Sequence, residues 1–317
     1  NENVFSKYNI LTVGEVGGGA SPEEALLYSG YSRKEIDMVF TFDHCWANGA
    51  YGSVNKKDEE LKTDLVDLKR TFAKWQNGIM NKGWNPLYWL NHDHPRLMSQ
   101  YGNIKYHQES GKMLANVLHF MWGTPFIYQG EEIGMTNVFY NDFNDFKDVG
   151  DQNYINEVKK NNLDINQAFA YLRRTSRDNA RTPLQWSNEE HGGFSKAIPW
   201  QKEVGNQQEI NIHDQQLNEY SILNYYKKCI QLRRNSLYSD VIIYGNFELL
   251  FENDTNLFIY KRVLENTTIL SINNFFDKEV FLDIDFKVEE VLINNYDDYN
   301  KNIKRILRPY EAMVIKI

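Results

Sequence analysis

Two carboxylic acids occupy positions from which chemistry is feasible. Glu15 closes the apolar run 10–16 (ILTVGEV), and Asp93 follows the run 84–90 (WNPLYWL) within Asn91-His92-Asp93. Cleavage of a glycosidic bond needs such a pair. One acid is held protonated near neutral pH and gives its proton to the leaving oxygen, while a second carboxylate stabilises or traps the oxocarbenium-like carbon. Taken singly, each acid also has a plainer reading as a helix cap or a solvated loop residue. His44 and His92 each follow an apolar run, where a histidine is either satisfied structurally or donates to a substrate hydroxyl. The close i, i+3 or i+4 histidine pairs of a metal site are missing. Glu131-Glu132 follows the run 125–129 and either lines the same cleft or orients its own loop. Arg177 and Arg181 flank Asp178 in the segment 177–183 (RDNARTP). Forked guanidinium groups there either bridge acids and sugar hydroxyls or form a structural salt-bridge cluster.

The elements that must position these residues alternate between strand and helix. The runs 10–16, 37–42, 84–90 and 125–129 read as buried strands, each followed by polar residues. Between them, Ser21-Pro22-Glu23-Glu24 is a helix start with the residues of a capping box. Leu61, Leu65, Leu68, Phe72, Trp75 and Ile79 form one apolar face and predict a helix over 61–80. A further helix is predicted over 109–121. This is the pattern of βα units with a parallel sheet, whose active sites lie beyond the C-terminal strand ends. Residues 139–216 are irregular apart from helices near 152–160 and 165–174, as a functional or covering segment would be. A helix over 217–235 follows. After residue 237, short β-rich runs at 241–244, 257–260, 268–272, 280–282 and 313–317 predict a small antiparallel β domain. The expected division is therefore 1–236 and 237–317.

Composition removes several classes of function. The 317 residues are 42% apolar and 25% charged, which is ordinary for a globular protein. Lys and Arg number 35 against 43 Asp and Glu, a net charge of −8 that leaves no basic reserve for a nucleic-acid partner. Cys45 and Cys229 cannot build a disulfide scaffold, and no CxxC spacing exists for zinc. No apolar run approaches the roughly 18 residues of a membrane span. With no signal-like stretch either, the expected location is the cytoplasm. No cofactor and no metal are expected. The aromatic content of 14% suits either stacking on pyranose rings or an aromatic-rich core.

Four segments occur in a telling order: 12–15 (TVGE), 83–96 (GWNPLYWLNHDHPR), 123–135 (GTPFIYQGEEIGM) and 177–186 (RDNARTPLQW). With them, nearly the whole chain resembles the α-glucosidase branch of glycoside hydrolase family 13, which includes oligo-1,6-glucosidases, dextran glucosidases and trehalose-6-phosphate hydrolases. The resemblance implies an α/β fold: the C-terminal half, strands five to eight, of a (β/α)8 TIM barrel followed by a small antiparallel β domain. It implies Glu15 as general acid/base and Asp93 as the acid that stabilises the transition state. His92 matches a histidine that bonds sugar hydroxyls in the −1 subsite. Arg181, with Arg177 beside it, falls in the segment that supplies a sugar-binding arginine. His44 remains a candidate hydroxyl donor.

The departures are informative. A barrel has eight βα units, and four are present. The family nucleophile is an Asp in a Gly-aromatic-Arg-x-Asp setting, and these 317 residues contain none. Close relatives carry Asp-Ile/Val-Glu where this chain reads Asp148-Val149-Gly150-Asp151, so the 1,6 preference is open. The expected function is that of a retaining glycoside hydrolase cleaving terminal α-glucosidic bonds, α-1,6 foremost, in short oligosaccharides. Without its nucleophile the chain alone is expected to be inactive. The alternatives are trehalose-6-phosphate hydrolysis and a non-catalytic carbohydrate-binding remnant. The absence of Lys or Arg between His44 and Lys56 argues against a phosphorylated substrate. The expected partners are an oligosaccharide and the missing N-terminal half of the barrel.

Overall fold

Parallel strands cannot be joined by a hairpin, so each pair in this chain is bridged by helix. In the computed structural model, which describes residues 4–33, 35–282, 287–296 and 306–317, β1 (Val13–Glu15) pairs in parallel with β2 (Met38–Phe40). The helix between them, α1 (Pro22–Ser29), begins as its sequence dictates. The Ser21 side chain accepts from the Glu24 N–H, and the Glu24 carboxylate accepts from the Ser21 N–H. Next, α2 (Leu65–Ile79) buries Leu65, Leu68, Phe72, Trp75 and Ile79. It starts four residues later than the apolar stripe because Asp64 caps it, accepting from the Asp67 N–H at 2.9 Å. β3 (Pro86–Leu87) then pairs in parallel with β4 (Thr124–Pro125), across α3 (Leu97–Tyr101) and α4 (His107–His119).

The four expected strands form two hydrogen-bonded pairs rather than one ladder. Pro86 and Pro125 have no N–H to donate, which keeps the second pair to two residues a side. Side chains join the pairs instead. The Phe40 ring meets Tyr88 and Phe126 edge-to-face, each at 4.9 Å, and the Tyr88 hydroxyl donates to the Thr41 carbonyl. On its other edge β1 has no hydrogen-bonded neighbour among the described residues, and Ile10, Leu11 and Val13 in this stretch of chain are exposed.

Two helices, α5 (Val149–Lys160) and α6 (Ile165–Thr175), close a separate core around Tyr140, Phe146, Ile155 and Leu172, with Phe143 stacked on Phe169 at 3.9 Å. The helix expected over 217–235 is α8 (Ile222–Asn235), which starts five residues later because Ser221 caps it by accepting from the Asn224 N–H, and a short α7 (Ile212–Leu217) precedes it. The expected strand at 241–244 is instead part of a helix, α9 (Ser239–Tyr244). Val241 and Ile242 are both buried and Tyr244 is exposed, which is not the alternation of a strand.

The expected antiparallel β region is present and larger than its sequence suggested. β5 (Asn246–Leu250), β6 (Leu257–Leu264), β7 (Thr267–Asn274), β9 (Glu290–Asn294) and β11 (Ala312–Lys316) form one antiparallel sheet in the order β5-β6-β7-β11-β9. β8 (Val280–Phe281) and β10 (Ile306–Leu307) pair separately. The expected boundary at 236/237 falls in the turn between α8 and α9. Three buried polar side chains weld the sheet to the helices. Lys69 of α2 donates to the carbonyls of Phe251, Asp254 and Leu257 at 2.6, 2.7 and 3.0 Å. Asn116 of α4 donates to Ser271 Oγ and Asn273 Oδ1. Arg262 of β6 donates to the carbonyls of Phe120 at 2.8 Å, Ile242 at 2.6 Å and Gly245 at 2.5 Å.

Candidate active site

The loop after β3 is organised by Asn91. Its side-chain oxygen accepts from the Asp93 N–H at 2.9 Å and lies 2.8 Å from His94 Nδ1. This turn leaves His92 and Asp93 toward solvent and sends His94, Pro95 and Arg96 inward. Arg96 is buried and donates to the carbonyls of Asn179, Gln129 and Thr182. A distant piece of chain, Arg177–Arg181, is thereby fastened against the Asp93 loop.

That piece is a short 3-10 turn, capped by Ser176 accepting from the Asp178 N–H. It presents both arginines to Asp93. Arg181 Nη2 lies 2.8 Å from Asp93 Oδ1, and Arg177 Nη1 lies 3.3 Å from the same oxygen. Arg181 Nε also donates to the His92 carbonyl at 3.1 Å. His92 Nε2 stands 3.6 Å from Asp93 Oδ2. Both guanidinium groups are shared with a second acid, Asp148, which caps α5. Arg177 Nη2 is 2.9 Å and Arg181 Nη1 is 3.2 Å from Asp148 Oδ2. Two acids and two arginines thus alternate around a ring whose formal charge is zero. Burial alone would raise the Asp148 carboxyl, but the bonds from Arg177 and the Gly150 N–H and the charge of Arg181 hold it below the usual range.

Four of the residues singled out in the sequence, His92, Asp93, Arg177 and Arg181, are brought together. Asp178 is not their partner. Its carboxylate accepts from the backbone N–H groups of Lys147 and Asp148 instead. Glu15 ends β1 exposed, with no hydrogen-bond or ion-pair partner among the described residues. It stands at the C-terminal end of β1, as Asp93 follows the C-terminal end of β3. It is in register with Phe40, whose ring packs on Tyr88, and Tyr88 leads into the Asp93 loop.

His44 does not join them, which corrects its expected role as a hydroxyl donor. It is buried, its Nε2 is 3.0 Å from the Trp89 carbonyl, and its ring packs on Phe72 and Tyr88. Burial pushes its pKa down to about 4, so it serves as a neutral packing residue. Glu131 and Glu132 follow the loop-orienting reading. Glu131 is buried against the Tyr226 hydroxyl, and Glu132 accepts from the Gly130 N–H at 2.7 Å. Gly130 has φ +93°, and a Cβ there would sit 2.6 Å from Arg96 Nη1, so this turn requires glycine. Asp148 appears in the sequence only within the segment 148–151, and its place in the ring comes from its bonds to Arg177 and Arg181. Among the described residues, no three metal-ligating side chains converge.

A family model described as the α-amylase catalytic domain matches residues 1–245. The chain belongs to the α-amylase family, glycoside hydrolase family 13. Oligo-1,6-glucosidase of Bacillus cereus is 44% identical over 100% of this chain and 57% of its own length. Trehalose-6-phosphate hydrolase of Bacillus subtilis is 37% identical with the same coverage. Among solved structures, trehalose-6-phosphate hydrolase of Bacillus licheniformis superposes with a TM-score of 0.90 at 37% identity, over 99% of this chain and 57% of that one. Isomaltulose synthase from Klebsiella sp. LX3 gives 0.90 at 30% identity, over 100% and 57%. This α-amylase-family chain spans just over half the length of the relatives it matches, in keeping with a C-terminal portion.

Proposed function

We propose that this chain contributes strands five to eight of a (β/α)8 barrel, with its C-terminal sheet, to a retaining α-glucosidase. The observation that carries the reading is the Asp93 carboxylate held by Arg181 at 2.8 Å beside His92, in the loop after β3, with Glu15 exposed at the end of β1. In this reading Glu15 gives its proton to the glycosidic oxygen as a carboxylate nucleophile attacks the anomeric carbon and the C–O bond breaks. Glu15 then takes a proton from the water that releases the sugar. Asp93 stabilises the cationic carbon, and His92, Arg181 and Arg177 orient sugar hydroxyls and the acid itself.

The nucleophile lies outside these 317 residues, and we assign it to an N-terminal half of the barrel as partner. That half docks on the free edge of β1 and covers the exposed Ile10, Leu11 and Val13 of the same stretch of chain. The substrate is a short oligosaccharide with a terminal α-1,6-linked glucose, in keeping with the oligo-1,6-glucosidase and glucan 1,6-alpha-glucosidase names of several relatives.

The test uses nitrophenyl α-glucoside and isomaltose. The chain alone turns over neither. Combined with the N-terminal part of a relative that this chain leaves uncovered, it releases product, and E15Q and D93N abolish that release. Activity on trehalose 6-phosphate but not isomaltose would transfer the reading to the phosphorylated substrate. No activity in any combination would leave a non-catalytic remnant.

A further inference from the structure

We propose that Asp148 is a positioning residue: it anchors Arg177 and Arg181 from within the fold so that the two guanidinium groups do not close over Asp93. The functional sense of this rests on reading Asp93 as the stabilising acid. The geometry does not.

The two acids of the ring are unequal. The Asp148 side chain is 6% exposed and that of Asp93 is 37% exposed. Asp148 takes Arg177 at both of its oxygens, with Nε 3.0 Å from Oδ2 and Nη2 3.2 Å from Oδ1, and takes Arg181 as well. Asp93 receives both arginines on Oδ1 alone, and its Oδ2 faces only His92. The anchor is itself fixed from behind. Its Oδ1 accepts from the Gly150 N–H at 2.9 Å, and its own N–H donates to Asp178 at 3.1 Å.

The consequence is electrostatic. Two guanidinium groups facing one carboxylate would saturate both of its oxygens and leave a net positive charge beside Asp93. That is the wrong sign opposite a developing oxocarbenium carbon. With Asp148 in the ring the charges cancel, and Asp93 keeps one oxygen open. The other charged neighbours are Asp151, Asp178 and His92, and none takes a guanidinium hydrogen bond from Arg177 or Arg181 through its side chain.

Selective isotope labelling of Arg and Asp in the 317-residue chain tests this at neutral pH, without substrate or turnover. A failure of the glucosidase reading is therefore a separate result. In D93N, the Arg177 and Arg181 guanidinium N–H resonances and the Asp148 carboxyl carbon are expected to stay at their wild-type positions with slow water exchange. In D148N, the Asp93 carboxyl carbon is expected to shift, and at least one guanidinium to exchange about tenfold faster, as loss of a hydrogen bond to a charged partner implies. Equal release of the guanidinium groups in the two variants, or an unchanged ring in D148N, would overturn the proposal. Should D148N fail to fold, D93N decides alone: retained guanidinium order supports the anchor, and lost order refutes it.

Discussion

Arg181 Nη2 lies 2.8 Å from Asp93 Oδ1, while the same guanidinium reaches Asp148 at 3.2 Å and the His92 carbonyl at 3.1 Å. A planar fork makes these bonds from three separate nitrogens held at fixed spacing, and the single nitrogen of an ammonium cannot span the same three acceptors. R181K is therefore expected to behave like R181A in the reconstituted enzyme, with kcat/KM down roughly 10- to 100-fold. Steady-state kinetics of the two variants check this, and recovery of more than half the activity in R181K would contradict it.

Acid should destabilise the fold through buried imidazoles. Burial pushes His44, His94 and His119 down to about 4, from 6.5 in the unfolded chain. Their contribution is present above pH 6.5 and is lost as pH falls toward 4, at about 2 kcal/mol each by pH 5. Asp151 works the other way. Burial pushes it up to about 6, so its cost is present above pH 6 and is relieved by about 1 kcal/mol on acidification to pH 5. Urea unfolding followed by tryptophan fluorescence should give a midpoint at pH 5 well below that at pH 7.

Lys69 is fully buried, with three carbonyl acceptors in the turn between β5 and β6. K69M keeps the aliphatic bulk and removes every bond. The expected loss is about 1–3 kcal/mol, because the buried Leu257 carbonyl loses its Lys69 donor while the Phe251 carbonyl keeps the Asp254 N–H. Hydrogen exchange should accelerate first at residues 251–257, and protection unchanged there would count against this coupling.

The exposed edge of β1 gives a prediction that separates folding from assembly. Leu11 is 60% exposed and is not part of a buried core, although it borders a surface pocket with Met38 and Trp84. L11K is expected to change the stability of this chain by less than about 0.5 kcal/mol. It should nevertheless abolish recovery of activity when the N-terminal half is supplied. A melting curve and a complementation assay on one preparation measure both.

The helices were legible because their information is local. The stripe from Leu65 to Ile79 and the capping box at Ser21 specify their elements without help from the rest of the chain. The strands were less so. An apolar run shows that a segment is buried but not that it is hydrogen-bonded, and Pro86 and Pro125 shortened the ladder. The same ambiguity turned 241–244 from an expected strand into α9. In the site, Asp93, His92, Arg177 and Arg181 were found through a familiar segment order. Asp148 was not, because its pairings with Arg177 and Arg181, 29 and 33 positions along the chain, leave no periodic trace. His44 shows the opposite failure. It has the same context as His92, a histidine after an apolar run, and a different fate decided by Phe72 and Tyr88 packing over it.

The Arg262 guanidinium has a consequence for anyone shortening or exchanging parts of this chain. It caps carbonyls at the ends of two helices from a strand that begins after residue 245, where the family match stops. A gene cut there, although it would follow a sequence-defined border, would delete the donor and strand Phe120, Ile242 and Gly245 as dry, unanswered acceptors. The C-terminal sheet is thus not an exchangeable appendage, and a chimera built at this seam needs an arginine reaching back from the transplanted strand.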